Sequence, residues 1–293
     1  MTATSGRAVV VGYDGSDPAE QALRWGARRA ARRRAPLELV HALDVWPYDA
    51  RVLRPTDSES RTSEAHQAAQ ELAEDAAARM RQEHPSLDVT THVTAAAPAA
   101  LLLERAASAE SVAVGSRGHG GFPGLHLGSI SSHLTAHAHC PVVVVRDRAG
   151  TGVVVGVDGS PNSDRAVAFA FEEASARSEP LTAVHAWLPF YAGLGDMPFY
   201  DEVEPVDDEL PALLSERLAG WSEQHPEVKV RRVVRSLHPV AALLEASDGA
   251  AVLVVGSHGR GGFRGMLLGS VSRALLHHVS GTLAVVRGEE EKH

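Results

Sequence analysis

Short runs of uninterrupted apolar residues alternate along the chain with longer stretches in which Ala, Leu and charged residues fall at helical spacing. The pattern predicts strands over residues 8–11, 37–43, 88–93, 111–115 and 142–146. Between them it predicts helices over 17–34, 64–83, 99–107 and 129–137, the second rich in Ala, Leu, Glu and Arg. Strands written as continuous apolar runs, rather than as alternating ones, belong to a mostly parallel sheet covered on both faces. The expected fold is therefore α/β, a doubly wound domain with a five-stranded, mostly parallel sheet.

The pattern then starts again. VVVGYDGS at residues 9–16 returns as VVVGVDGS at 153–160, and the strand LVHA ending at Ala42 returns as AVHA ending at Ala186. GSRGHGGFPGLHLGS at 115–129 returns as GSHGRGGFRGMLLGS at 256–270. Solenoid repeats have periods of roughly 20–50 residues, so a repeat this long is a duplicated domain. The junction falls at residues 147–152, within RDRAGTG, and the expected domains are 1–148 and 152–293, in tandem.

Two segments in each copy carry the chemistry. Residues 14–16 and the glycine-rich segment both leave carboxyl ends of predicted strands, where open α/β sheets bind ligands at the point of strand-order reversal. The glycines are spaced as Gly115, Gly118 and Gly128 before Ser129, and again as Gly256, Gly259 and Gly269 before Ser270. Glycine lets backbone N–H groups approach a phosphate without a Cβ in the way, and the serine opens a helix whose first amides favour an anion. The plainer alternative is that the glycines only turn the chain and each serine is an ordinary N-cap. Recurrence of the spacing, while the residues between the glycines change, argues for the anion site.

These motifs resemble the universal stress protein family, whose ATP-binding members carry G-x2-G-x9-G-[ST] after the fourth strand. The openings VVVGYDGS and VVVGVDGS, the LVHA and AVHA strands and the endings CPVVVVR and TLAVVR are also similar to it, and the likeness covers nearly the whole chain. The resemblance implies two Rossmann-like domains of the adenine nucleotide α-hydrolase type, each holding one ATP. It implies that Asp14 and Asp158 lie beside the nucleoside, reaching ribose or a bound Mg; the other reading of each is an Asp-Gly turn. Adenine is then read by backbone near Ala42 and Ala186. Arg117 and His258, which occupy the same place in the two copies, either neutralise phosphate or are solvated loop residues. His119 aligns with Arg260 in the same way. The implied role is nucleotide-dependent regulation in stress response or growth arrest, by a homodimer with regulatory protein partners still to be identified.

Other chemistries find less support. The two lysines, Lys229 and Lys292, lie far from any glycine cluster, so no Walker A loop is present, and the first βα turns lack the Rossmann dinucleotide fingerprint. No base is shared between the copies, which makes an enzyme the alternative reading: a slow ATPase, or a protein that phosphorylates itself on Ser129 or Ser270. Among sixteen histidines, His133, His137 and His139 or His277 and His278 form no repeated ligand set, and no structural metal is expected. The single cysteine, Cys140, is expected to be an inert, partly buried thiol.

A net charge of −9 provides no field for a nucleic-acid backbone, and the arginines of residues 28–34 are expected to cap a solvated helix end. The start shows no signal-peptide pattern and no window reaches the roughly 18–20 apolar residues of a membrane span, so a cytoplasmic protein without membrane contact is expected. Residues 188–211 read as irregular. This segment, with its acidic run at 201–209, is expected to cover the second nucleotide, pack on a partner or act as a mobile acidic linker.

Overall fold

The computed structural model describes residues 6–43, 55–118, 127–187, 209–260 and 267–287. The chain divides into two compact units, Met1–Asp147 and Arg148–His293.

In the first unit the elements run β1 (Val9–Gly12), α1 (Asp17–Arg33), β2 (Leu37–Leu43), α2 (Pro55–Glu83), β3 (Val89–Ala95), α3 (Pro98–Ala106), β4 (Ser111–Gly115), α4 (Ser129–His137) and β5 (Val142–Val145). The strands lie in the order β3-β2-β1-β4-β5. All four pairs are parallel, and β1 sits between β2 and β4, with Val9 in register with both Leu37 and Ser111. The chain moves outward from β1 in one direction and returns to its other side, so the strand order reverses there, at the carboxyl ends of β1 and β4, the place where open α/β sheets bind ligands.

The second unit repeats the plan as β6 (Val153–Gly156), α5 (Pro161–Arg177), β7 (Leu181–Trp187), α6 (Glu209–Gln224), β8 (Val230–Ser236), α7 (Pro239–Ala246), β9 (Val252–Gly256), α8 (Ser270–His278) and β10 (Leu283–Val286). Its strands lie in the order β8-β7-β6-β9-β10, again parallel throughout. The reversal falls between β6 and β9.

The two first helices are set by the same devices. Ser16 and Ser160 are N-caps whose hydroxyls accept from the amides of Ala19 and Ser163, with Pro in the first turn in both. Gly15 and Gly159 precede them at φ +80 and +76, the left-handed region that glycine occupies at little cost. Both helices end on a left-handed residue, Arg34 and Ser178. One face of α1 buries Ala19, Ala22, Leu23 and Ala27 against strands whose Val9, Val11, Val112 and Val143 have almost no exposed surface.

The strands fall where the apolar runs place them. α2 begins at Pro55 rather than residue 64, because PTDSESRTS at 55–63 offers no apolar stripe to announce a helix. Of the segment expected to be irregular, residues 209–211 form the first turn of α6, where Pro211 is tolerated because the first amides have no helical acceptor. Residues 188–208, with most of the acidic run, lie outside the described residues.

Candidate functional site

At the carboxyl ends of β6 and β9 the second unit encloses a cavity of about 510 Å³, within the range of small-ligand sites. Asp158, Ala186, Gly256, His258, Gly259, Gly269 and Ser270 all line it. The fold therefore brings together every residue of this copy singled out from the sequence. The remaining wall is largely apolar, from Val157, Val184, Leu243 and Val255. The cavity thus combines apolar side chains with the backbone of the glycine segment and the start of α8.

The carboxylate of Asp158 joins the two functional segments. Its Oδ1 accepts from Ser160 N at 3.0 Å and Ser160 Oγ at 2.7 Å, closing the Asp-Gly turn, while Oδ2 accepts from Arg260 N at 3.1 Å, in the glycine segment. Asp14 forms the same turn, with Oδ1 at 3.0 Å from Ser16 N and 2.6 Å from Ser16 Oγ. The turn reading of these aspartates thus holds for Oδ1 in both copies, and in the second copy Oδ2 is tied to the glycine segment.

The glycines are required by close approach. A Cβ on Gly259 would lie 2.3 Å from Asp158 Oδ2, and one on Gly118 would lie 2.5 Å from Asp14 Oδ2. A Cβ on Gly115 or Gly256 would meet the backbone of Pro18 at 2.7 Å or of Asn162 at 2.9 Å, so these strand ends need glycine to pack on the following helix.

The last glycine of each set has a different use. Gly128 N donates to Ser116 O at 2.7 Å and Gly269 N donates to Ser257 O at 2.8 Å, which closes the neck of each glycine segment. Ser131 Oγ and Ser272 Oγ donate to Gly115 O and Ser257 O and brace it. These glycines are the N-caps of α4 and α8, so Ser129 and Ser270 are first helical residues rather than caps, and both are exposed. The plainer alternative, in which each serine is an ordinary N-cap, does not hold. The amides of the first helical turn, starting at Ser129 and Ser270, point out of the helix without an intrahelical acceptor, and their dipoles favour an anion.

Around this frame the copies differ. Arg117 is exposed, whereas His258 is half-buried with Nδ1 3.3 Å from Ser257 Oγ. The Arg260 guanidinium covers Gly159, where a Cβ would lie 2.4 Å from Nη2, while Leu72 of α2 covers Gly15. His119 and residues 261–266 lie outside the described residues. Ala42 holds its place in β2, opposite Thr94, as Ala186 does in β7, opposite Arg235.

Two histidines escaped the sequence reading. His41 Nδ1 lies 2.8 Å from Tyr13 O and His185 Nδ1 lies 2.7 Å from Val157 O, the carbonyls immediately before the two aspartates. A carbonyl only accepts, so each Nδ1 carries the hydrogen and each ring ties the end of β2 or β7 to the aspartate turn. The signal was the His shared by LVHA and AVHA. Cys140 is buried, and burial pushes its thiol up to about 12. Among the described residues no cluster of three or more His, Cys, Asp or Glu could hold a metal ion, and no helix is long and apolar enough to cross a membrane.

The model of the universal stress protein family matches residues 6–146 and again 151–287. The chain belongs to the universal stress protein family. A universal stress protein of Mycolicibacterium smegmatis is 39% identical over 293 residues, spanning 95% of this chain and 96% of its own. One of Mycobacterium tuberculosis is 40% identical over the same length, with the same coverage. Among solved structures, a universal stress protein from Archaeoglobus fulgidus superposes with a TM-score of 0.69 at 17% identity, over 97% of this chain and 98% of that one, a likeness of fold. The family match falls twice along this chain, and these relatives resemble it over nearly their full length.

Proposed function

We propose that this universal stress protein, with domains 1–148 and 152–293, holds one ATP in each domain and works as a cytoplasmic, homodimeric regulator of stress response or growth arrest through partners still to be identified. The observation that carries this reading is the second-domain cavity, in which the apolar walls, Asp158 and the start of α8 converge. Adenine takes the apolar end, against the backbone near Ala186. The phosphates take the glycine segment and the first amides of α8, with His258 beside them. Asp14, Ala42, Gly115, Arg117, Gly118, Gly128 and Ser129 do the same in the first domain.

Asp14 and Asp158 each offer a single carboxylate, which fits a Mg ion carried mainly by phosphate oxygens and water. Binding is the output in this reading, since the glycine segments share no base: Arg117 aligns with His258, and His119 with Arg260. The purified protein is heat-denatured and the supernatant chromatographed. ATP released near two per chain supports the reading, ADP in excess favours the slow-ATPase alternative, and no nucleotide together with no affinity on titration refutes both.

A further inference from the structure

Among the described residues, the two copies differ in a buried hydroxyl at the first turn of their first helices. Ser163, in the first turn of α5, is 3% exposed and lines the second-domain cavity. Its structural counterpart is Ala19, since Ser160 caps onto Ser163 N as Ser16 caps onto Ala19 N. Ala19 is equally buried, at 4%, so the first site has a methyl group where the second has a hydroxyl.

The hydroxyl is half used. Ser163 Oγ accepts from the amide of Asp158 at 3.1 Å, and among the described residues its own hydrogen has no acceptor. A buried O–H without an acceptor is costly, and the cost disappears when a ligand supplies one. Oγ lies beside the Asp158 amide, and Ser163 and Asp158 both line the cavity.

We infer that Ser163 donates its hydroxyl hydrogen to an acceptor atom of the nucleotide in the second domain, a bond the first domain lacks, so that the two sites bind unequally and the second is the tighter. This rests on the nucleotide reading above. The other exchanges around the cavity act differently: Tyr13 for Val157 changes bulk and contacts near the ring, and the cationic pair Arg117 and His119 against His258 and Arg260 swaps residue types with an arginine kept in each copy.

The test is calorimetric titration of the nucleotide-free full-length protein with ATP. Two classes of site are expected, and Ser163→Ala weakens the tighter class about three- to tenfold, the ordinary worth of one hydrogen bond, while leaving the other unchanged. Ala19→Ser supplies a hydroxyl to a turn that already stands without one, and it tightens the weaker class by a similar factor. Equal sites in the unmodified protein, or unchanged affinity in Ser163→Ala, overturn the inference while the nucleotide reading survives. Weakening by Ser163→Ala with no gain from Ala19→Ser reduces Ser163 to a prop for the Asp158 turn and also overturns it. Should Ser163→Ala melt before titration, Ala19→Ser decides alone. No ATP binding in the unmodified protein defeats the nucleotide reading itself.

Discussion

The first helices of the two domains occupy the same place in the fold and solve the same burial problem with opposite charges. In α1 the buried Arg29 places Nη2 2.6 Å from Glu110 Oε1 and Nε 3.2 Å from Oε2, a two-pronged pair with the residue just before β4. In α5 the equivalent position is Glu173, equally buried, held by Arg177 one turn on at 2.5 Å, and the place of Glu110 is taken by Ala251. The Asp-Gly-Ser turn, the three glycines and the helix-opening serine are, by contrast, kept without change. A packed interior accepts any arrangement in which a buried charge finds its partner. A site whose backbone must approach an aspartate within van der Waals distance accepts only glycine.

The strongest way to break this comparison is to remove what is shared. Gly118→Ala with Gly259→Ala is expected to reduce ATP affinity by at least about a hundredfold, since each new Cβ must displace a carboxylate already anchored at its other oxygen. Calorimetry on the folded double variant checks it, and retained tight binding would show that the Asp–Gly contact is incidental.

Removing what is not shared gives the next largest effect. Arg29→Met leaves Glu110 without its main partner and is expected to destabilise the first domain by about 3 kcal/mol, with the second domain's transition unmoved. Urea titration followed by domain-resolved hydrogen exchange reads both. Loss of both transitions together would mean that the domains unfold as one unit.

A smaller effect follows from pH. Burial raises the Glu110 carboxyl, but the charge and hydrogen bonds of Arg29, the Ser111 hydroxyl and Arg33 outweigh it and hold it below the ordinary glutamate value. The resulting stability is complete above the unfolded value of about 4.3 and is lost as pH falls through the lowered native value. The first domain should therefore lose stability on acidification below about pH 4.3, and Glu110→Gln, less stable at neutral pH, should show a flatter acid profile. An unchanged profile in that variant would exclude Glu110 as the group concerned.

The smallest signal marks one domain only. Cys140, with its thiol pushed up to about 12 and its side chain buried, is expected to resist alkylation at neutral pH until the first domain opens, and Gly281 stands in its place in the second. Rapid labelling of the native protein, read by mass spectrometry, would contradict the burial.

The inner strands were legible because parallel strands buried on both faces leave apolar, Val-rich runs, seen again in the second copy. The outer strands β3 (VTTHVTA) and β8 (VRRVVRS), by contrast, carry polar residues and are only partly buried. The start of α2 was not legible, because its first residues are polar on every side. At the second site, Gly256, Gly259, Gly269 and Ser270 were picked out by their spacing and Asp158 by the family resemblance, and all five line one cavity. His41 and His185 were written in the same repeated motifs but pass as ordinary strand residues, because only the folded chain shows the imidazole reaching back to the carbonyl before the aspartate. Ser163 carried no sequence signal: opposite Ala19 it looks like drift between copies, and its meaning lies in its burial and its unused hydrogen.

The central claim is that both glycine cradles hold a nucleotide. Equilibrium dialysis of the nucleotide-free chain against ATP tests it most directly. Saturation at two ATP per chain is the predicted result, and a chain that binds none at millimolar ATP contradicts the account.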